Sequence, residues 1–181
     1  AVGQYNLKVK QLAQSQQSTV ALASTDPDEV ITETTALPTT GTFTVKLDSD
    51  ATKTMSINLS TLAAGATAKD LVTAINNSSD NPGVRASLVR TDGKLSLLLN
   101  GKETGSANAF TVDASTVSVL DNSAKSELTT AQDAIVELGS SKTPATITSA
   151  SNKLTGVISG VTLQLTKAQE ASATPITVTV A

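Results

Sequence analysis

The sequence predicts a mainly β protein that is β-rich with one short helix, arranged as two small antiparallel β domains. Apolar and polar residues alternate with a period of two in many short segments, which is typical of half-buried strands. Only one segment combines helical spacing with an N-terminal cap. Hydrophobic residues make up 39% of the 181 residues and aromatic residues only 2%, so the cores are expected to be aliphatic and thin. Thin cores suit two modest domains better than one large domain.

The chain is expected to open with a strand. Residues 5–9 (YNLKV) alternate apolar and polar side chains, and this strand is expected to continue toward Leu22. Pro27 lies between two aspartates and marks a turn. The polar stretch 34–41 contains a further proline, and we place the first crossing between the domains there.

A helix is expected after two alternating strands within residues 43–59. Thr67 and Asp70 are three residues apart, which is the spacing of an N-cap residue and a first-turn acid. The apolar residues of 71–75 then share one helical face. Packing on the protein's own sheet is favoured for this face, and a partner-binding stripe is the alternative.

A hairpin is expected to follow this helix. Residues 84–89 and 95–99 alternate as strands on either side of Asp92–Gly93, a dipeptide that suits a type I′ turn. Residues 110–112 add a short strand. The polar stretch 113–126 is expected to carry the chain back to the first domain.

The remaining segments are expected to complete a second set of strands. Residues 131–138 and 145–148 form one pair of candidate strands, and residues 161–165 and 176–180 form another. Residues 151–159 are ambiguous, because their apolar positions have the spacing of one helical turn.

Several segments resemble the flagellar hook-associated proteins and flagellins. Ile75–Asn76, followed by the pattern N-x-G-V-x-A-S at 81–87, resembles the "IN" repeat of that family. The opening residues 5–17 resemble the head-domain entry of the hook-associated protein 2 group, which caps the flagellar filament. Residues 131–138 and 151–168 resemble its return segment. The order of these motifs is more specific than any one of them.

This resemblance implies a domain layout, a role and a location. It implies a head-domain fragment in which an outer domain, residues 38–124, is inserted into a discontinuous inner domain, residues 1–37 and 125–181. It implies a structural protein at the distal tip of the bacterial flagellum, outside the cell. There it would promote flagellin polymerisation and prevent flagellin leakage. The implied partners are flagellin and, in the full-length protein, further copies that assemble into a cap ring.

Composition excludes several classes of function. The net charge is −3 and the two arginines, Arg85 and Arg90, form no basic stripe, so nucleic-acid binding is not expected. The sequence has no apolar run of membrane-spanning length, so no membrane partner is expected. The absence of His and Cys excludes Ser-His-Asp, Cys-His and thiolate zinc sites. We therefore assign no catalytic, cofactor-binding or metal-ligating residue and expect no enzyme.

Four groups of polar residues are candidates for a binding or catalytic site. Asp48–Asp50 resembles part of a calcium loop but lacks its glycine and final glutamate, so a hairpin tip is favoured. The acids of 26–29 are interpreted as a charged linker. Residues 101–105 contain a Gly-Lys pair without the rest of a P-loop, which favours a turn. Asp133 and Glu137 are interpreted as solubilising acids on a strand rather than a catalytic pair.

Two further interpretations concern a pair of lysines and one asparagine. Lys8 and Lys10 are interpreted as protection of a sheet edge, with a subunit contact as the alternative. Asn76 is expected to cap the helix or to fix the following loop through side-chain to backbone bonds.

The alternative function is an adhesin or glycan-binding β-domain, with host mucin as the partner. Some filament cap proteins are associated with mucin attachment. Sugar sites usually stack their ligands on aromatic rings, and Tyr5, Phe43 and Phe110 are the whole aromatic set. The cap interpretation is therefore preferred.

Overall fold

The computed structural model describes residues 2–24, 26 and 28–181, and strands dominate them. The strands are β1 (Gly3–Gln11), β2 (Gln17–Leu22), β3 (Thr42–Leu47), β4 (Asp50–Asn58), β5 (Val84–Thr91), β6 (Lys94–Gly101), β7 (Phe110–Asp113), β8 (Leu120–Thr129), β9 (Ala134–Leu138), β10 (Ala145–Ser149), β11 (Lys153–Ile158), β12 (Val161–Gln164) and β13 (Ile176–Val180). The α-helix is α1 (Ala68–Asn77), and two 3-10 turns lie at Leu59–Thr61 and Ser106–Asn108. The β-rich class with one short helix is confirmed. The turn expected at Pro27 lies outside the described residues.

The chain divides into two units with bounds that differ from the expected ones. Unit 1 consists of Ala1–Ser15, Thr104–Ala107 and Ala131–Ala181, and unit 2 consists of Gln16–Glu103 and Asn108–Thr130. The expected bounds, 1–37 with 125–181 and 38–124, placed β2 and the end of β8 with the wrong strands. Both strands belong to unit 2 because β2 pairs with β6 on one side and with β8 on the other.

Unit 1 is built on a four-stranded antiparallel sheet in the order β10-β9-β1-β13. The first and last strands lie side by side, as a discontinuous inner domain requires: β1 and β13 pair from Gly3 opposite Val180 to Leu7 opposite Ile176. Strands β11 and β12 form a separate antiparallel hairpin. Unit 1 therefore combines strands from both ends of the sequence.

The core of unit 1 is small and aliphatic. Its buried members are Leu7, Val9, Ala13, Ala134, Val136, Leu154 and Leu165. Burial of such side chains contributes about 0.8 kcal/mol per methylene, so each of these residues matters to the stability of unit 1.

The helical turn considered for residues 151–159 is not formed. This segment is strand β11, whose register shifts between Thr155 and Ile158. Leu154 and Ile158 are both buried, as an even spacing on one strand face allows, and Val157 between them is half-buried where the register shifts. A bulged strand therefore imitates helical spacing.

Unit 2 contains two antiparallel sheets, in the orders β5-β6-β2-β8 and β4-β3-β7. The predicted hairpin turn is confirmed, since Asp92 has φ 50° and Gly93 has φ 76°, as a type I′ turn requires. Strand β8 occupies part of the stretch that was expected to be a crossing. Its residues are mostly exposed, so they lack the apolar alternation that marks a half-buried strand.

Helix α1 contributes its apolar face to the core of unit 2. Leu71 and Ile75 are 1% and 0% exposed, and they belong to the same buried cluster as Phe43, Val84 and Leu99. Asp70 Oδ2 accepts hydrogen bonds from the Thr67 backbone N–H at 2.8 Å and from Thr67 Oγ1 at 2.9 Å. These bonds fix the start of the helix and lower the pKa of Asp70. Packing on the protein's own sheet explains the helical face, as expected.

Candidate functional site

The asparagine of the IN pair joins helix α1 to strand β5. Asn76 Nδ2 donates to the Ala86 carbonyl at 3.0 Å, and the Ala86 N–H donates to Asn76 Oδ1 at 2.8 Å. The side-chain amide thus forms the same paired bonds that a neighbouring strand would form. This confirms the expectation that Asn76 fixes the chain through side-chain to backbone bonds.

A second asparagine organises the loop between the helix and that strand. Asn81 Nδ2 donates to the carbonyls of Ile75 at 2.8 Å and Val84 at 3.0 Å. Its Oδ1 accepts from the N–H groups of Gly83 at 2.9 Å and Val84 at 2.8 Å. One side chain therefore satisfies four backbone groups at the junction. The motif N-x-G-V has a structural role in this fold.

The short loop Thr104–Ala107, which overlaps the sequence Glu-Thr-Gly at 103–105, belongs to unit 1. Thr104 Oγ1 donates to the Ala150 carbonyl at 2.6 Å, and the Gly105 N–H donates to the Gln14 carbonyl at 3.1 Å. Ser106 donates through its N–H to Asp133 Oδ1 at 2.8 Å and through Oγ to Asp133 Oδ2 at 3.0 Å. Both oxygens of Asp133 thus hold this loop.

The Gly-Lys pair lies at the end of β6: Gly101 is the last residue of the strand, and the chain bends at Lys102. The N–H of Gly101 donates to the Gln16 carbonyl, and the N–H of Lys102 donates to the Gly83 carbonyl, both at 2.8 Å. A phosphate-binding loop presents free backbone N–H groups to its ligand. Here both of these groups are used within unit 2.

The other acidic residues considered as sites bond to nearby polar groups: Asp48 to a residue of β7, and Asp50 and Asp26 within local turns. Asp48 Oδ1 accepts from Thr111 Oγ1 at 2.7 Å, and Asp50 Oδ1 accepts from Thr52 Oγ1 at 2.6 Å. The Thr52 bonds lower the pKa of Asp50. Asp26 Oδ1 accepts from the Asp28 N–H at 3.0 Å. Within the described residues, no group of three or more His, Cys, Asp and Glu side chains could hold a metal ion.

Lys8 and Lys10 do not protect a sheet edge, so that interpretation is wrong. Their strand, β1, lies between β9 and β13 and is therefore an inner strand. Lys8 Nζ donates to the Ala171 carbonyl at 2.6 Å. Lys10 Nζ lies 3.5 Å from Glu137 Oε1, so the second member of the proposed acid pair is engaged in an ion pair.

A buried glutamine was missed by the sequence analysis. Gln16 is 4% exposed, and its side-chain amide pairs with both backbone groups of Phe110 at 2.8 Å. Its Nε2 also lies 2.9 Å from Ser18 Oγ. Gln16 and Phe110 are 94 positions apart, so no local pattern could have identified this contact.

The aromatic residues offer little to a sugar ligand. Phe43 and Phe110 are 0% and 3% exposed, and Tyr5 is half-buried. The large apolar side chains that are exposed are scattered: Val2, Val30, Leu128 and Ile176. Among the residues that the structure describes, no helix has the length and hydropathy needed to cross a membrane.

The sheet edges differ sharply in charge between the units. In unit 2 the edge strands β4, β5, β7 and β8 all carry charged residues: Asp50, Lys53, Arg85, Arg90, Asp113, Asp121, Lys125 and Glu127. In the four-stranded sheet of unit 1, the edge strands β10 (ATITS) and β13 (ITVTV) carry none. These two uncharged edges are the candidate functional surface.

Comparison with known proteins agrees with the resemblance found in the sequence. The family model of the flagellin hook IN motif matches residues 39–97. The lateral flagellar hook-associated protein 2 of Vibrio parahaemolyticus is 39% identical over 184 residues, which cover 96% of this chain and 39% of that protein. The chain thus spans about two fifths of the length of this relative.

Solved structures show the same fold. The D2-D3 domains of the flagellar cap protein FliD from Serratia marcescens superpose with a TM-score of 0.76 at 22% identity, covering 100% of this chain and 94% of that one. FliD (HAP2) from Pseudomonas aeruginosa PAO1 gives a TM-score of 0.74 at 22% identity, covering 100% of this chain and 80% of that one. The chain is therefore homologous to part of a flagellar hook-associated protein 2 and has the fold of the D2-D3 domains of the flagellar cap proteins.

Proposed function

We propose that this chain is the head region of a bacterial flagellar filament cap, with a structural role at the distal tip of the filament. The observation that carries the proposal is the similarity over nearly the whole chain to a hook-associated protein 2, together with the shared D2-D3 fold. Such a protein works outside the cell. In this role it promotes flagellin polymerisation and prevents the loss of flagellin subunits.

The chemistry of the chain supports an assembly role. The candidate acids are used in turns, a loop anchor and an ion pair: Asp48, Asp50, Asp133 and Glu137. The two asparagines of the IN block, Asn76 and Asn81, hydrogen-bond to main-chain atoms. Polar side chains that serve the fold in this way suit a protein that presents surfaces to other subunits. Flagellin and further copies of the same protein are the partners in this proposal.

The experiment uses the full-length protein in the bacterium that carries it. Its gene is replaced by a version that lacks the residues of this chain, and the control strain receives the unaltered gene. We expect short or absent filaments and an increase in unpolymerised flagellin in the medium, measured by electron microscopy and immunoblotting. Filaments of normal length without released flagellin would refute the role.

A further inference from the structure

The sheet of unit 1 has two open edges that match each other. Strands β10 and β13 each contain five residues and each has a neighbouring strand on one side only. Both strands alternate apolar or small residues with Thr, and most of their residues are exposed. We propose that β13 of one copy of this chain pairs with β10 of the next copy. The proposal deepens the proposed function, since it names the surface through which neighbouring cap subunits contact each other.

The distribution of charge supports pairing at these edges. Natural sheets usually protect an open edge with charged residues, proline or a bulge. In this sheet the charges lie on inner strands instead, with Lys8 and Lys10 on β1 and Glu137 on β9. The register between β1 and β13 is also regular from Gly3 to Leu7, without a bulge. Pro144 and Pro175 directly precede the two edge strands, but the strands themselves contain no charge, proline or bulge.

Strand direction fits a head-to-tail contact. The neighbours in the order β10-β9-β1-β13 are all antiparallel, so β10 and β13 run in opposite directions. A neighbouring copy that continues the sheet in the same orientation thus places its β10 antiparallel to β13. Repetition of one such contact closes a ring if the rotation between copies is suitable.

The residues match when the two five-residue strands are aligned end to end. The resulting pairs are Ile176 with Ser149, Thr177 with Thr148, Val178 with Ile147, Thr179 with Thr146, and Val180 with Ala145. Val178 and Ile147 both pack against the core of unit 1, so the apolar row continues from one copy to the next. The exposed threonines face each other on the opposite side, and Thr–Thr pairs are favourable across strands.

A two-fold contact of β13 with itself is the competing arrangement. It would place Val178 opposite its own copy and would also avoid opposing charges. It leaves both β10 edges open, however, and it stops at a dimer. The head-to-tail contact uses both edges and is the arrangement that a ring needs.

Cysteine cross-linking tests the contact on the purified chain, which has no natural cysteine. The double variant Thr146→Cys/Thr179→Cys places thiols on directly opposed positions, whose Cβ atoms would lie about 4.5–5.5 Å apart. Within one copy these positions are three strand spacings apart, about 14 Å, so no internal disulfide can form. We expect a ladder of dimers, trimers and larger species after mild oxidation, on a non-reducing gel.

The matched control is Thr162→Cys/Thr179→Cys, which moves one cysteine to an exposed threonine of β12. The ladder of the first variant should exceed that of this control at least tenfold. An equal ladder in both variants would overturn the proposal. So would efficient dimerisation of Val178→Cys alone, because position 178 lies opposite its own copy only in the two-fold contact.

Charge variants give an independent readout. Thr146→Lys/Thr179→Lys places like charges opposite each other and should abolish self-association in sedimentation experiments, whereas Thr146→Glu/Thr179→Lys should restore it. Circular dichroism confirms that each variant is folded. Self-association that is insensitive to these charges would overturn the contact. Neither assay contains flagellin, so the contact and the cap role can fail separately. If no ladder forms but the gene replacement shortens the filaments, only this contact is rejected. If a ladder forms but the gene replacement leaves the filaments unchanged, only the cap role is rejected.

Discussion

Removal of the Asn81 side chain is expected to destabilise unit 2 selectively. Asn81→Ala deletes four hydrogen bonds to Ile75, Gly83 and Val84. The carbonyl and N–H groups left behind are half-buried or buried, so water replaces only part of these bonds. At about 0.5–1.5 kcal/mol for each bond, and with partial solvation, we expect a loss of about 2–4 kcal/mol in the free energy of unfolding.

The measurement is urea unfolding followed by circular dichroism, combined with hydrogen exchange. A loss of this size lowers the urea midpoint by about 1–2 M, for a slope of roughly 2 kcal/mol per molar. The amide of Val84 should exchange at least tenfold faster, because it donates to Asn81 Oδ1 in the native protein and loses that acceptor in the variant. Fluorescence of Tyr5, the only tyrosine, reports on unit 1 and should change less.

The control is Asn77→Ala, an exposed asparagine one residue after the IN pair. Alanine favours helices over asparagine by up to about 0.7 kcal/mol, so this variant should be neutral or slightly more stable. If Asn81→Ala lowered the midpoint no more than Asn77→Ala does, the side chain would not hold the junction. The structural interpretation of the motif would then be refuted.

Three further predictions concern a glycine, a carboxylate and sugar binding. Gly41→Ala should reduce the yield of folded protein or lower the urea midpoint. Gly41 has φ +106°, and an added Cβ would lie 2.4 Å from the Thr116 carbonyl oxygen. An unchanged midpoint would contradict this prediction. Bonds from Thr67 lower the pKa of Asp70, so its contribution is present above the ordinary pKa of aspartate and is lost as pH falls through the lowered value. The stability difference between the native chain and Asp70→Ala should therefore be constant above about pH 5 and shrink below about pH 4, and the same difference at pH 3 would contradict it. On a glycan array that includes mucin sugars we expect no competable binding, because two of the three aromatic rings are buried and Tyr5 is half-buried; tight binding would favour the adhesin hypothesis.

Local order was predictable from the sequence where local chemistry determines it. The capping pair Thr67 and Asp70 marks the start of α1, and Asp92–Gly93 marks the turn between β5 and β6. Both signals act over fewer than five residues. The role of Asn76 was accessible for the same reason, since its partner Ala86 is only ten residues away.

Features that depend on distant partners were mispredicted. Strand β2 follows β1 closely in the sequence, and nothing in its own residues shows that it pairs with β6 instead of continuing unit 1. Lys8 and Lys10 suggest an edge only until β9 is found paired with their part of β1 and β13 with its first half. The segments of the polar edge strand β8 and the bulged strand β11 were not predicted as strands, because the period-two pattern disappears on an exposed or shifted strand.

The pairing of β1 with β13 has a consequence for the order in which the protein folds. A polypeptide emerges with its amino-terminal end first. Residues 16–103 and 108–130 can complete both sheets of unit 2 while the rest of the chain is still to come. Strand β1 must wait for residues 134–138 and 176–180 before it gains neighbours on both sides. Strand β1 is thus synthesised before its partners but is among the last strands to be paired on both sides. Unit 1 can complete its sheet only after β13 has been synthesised.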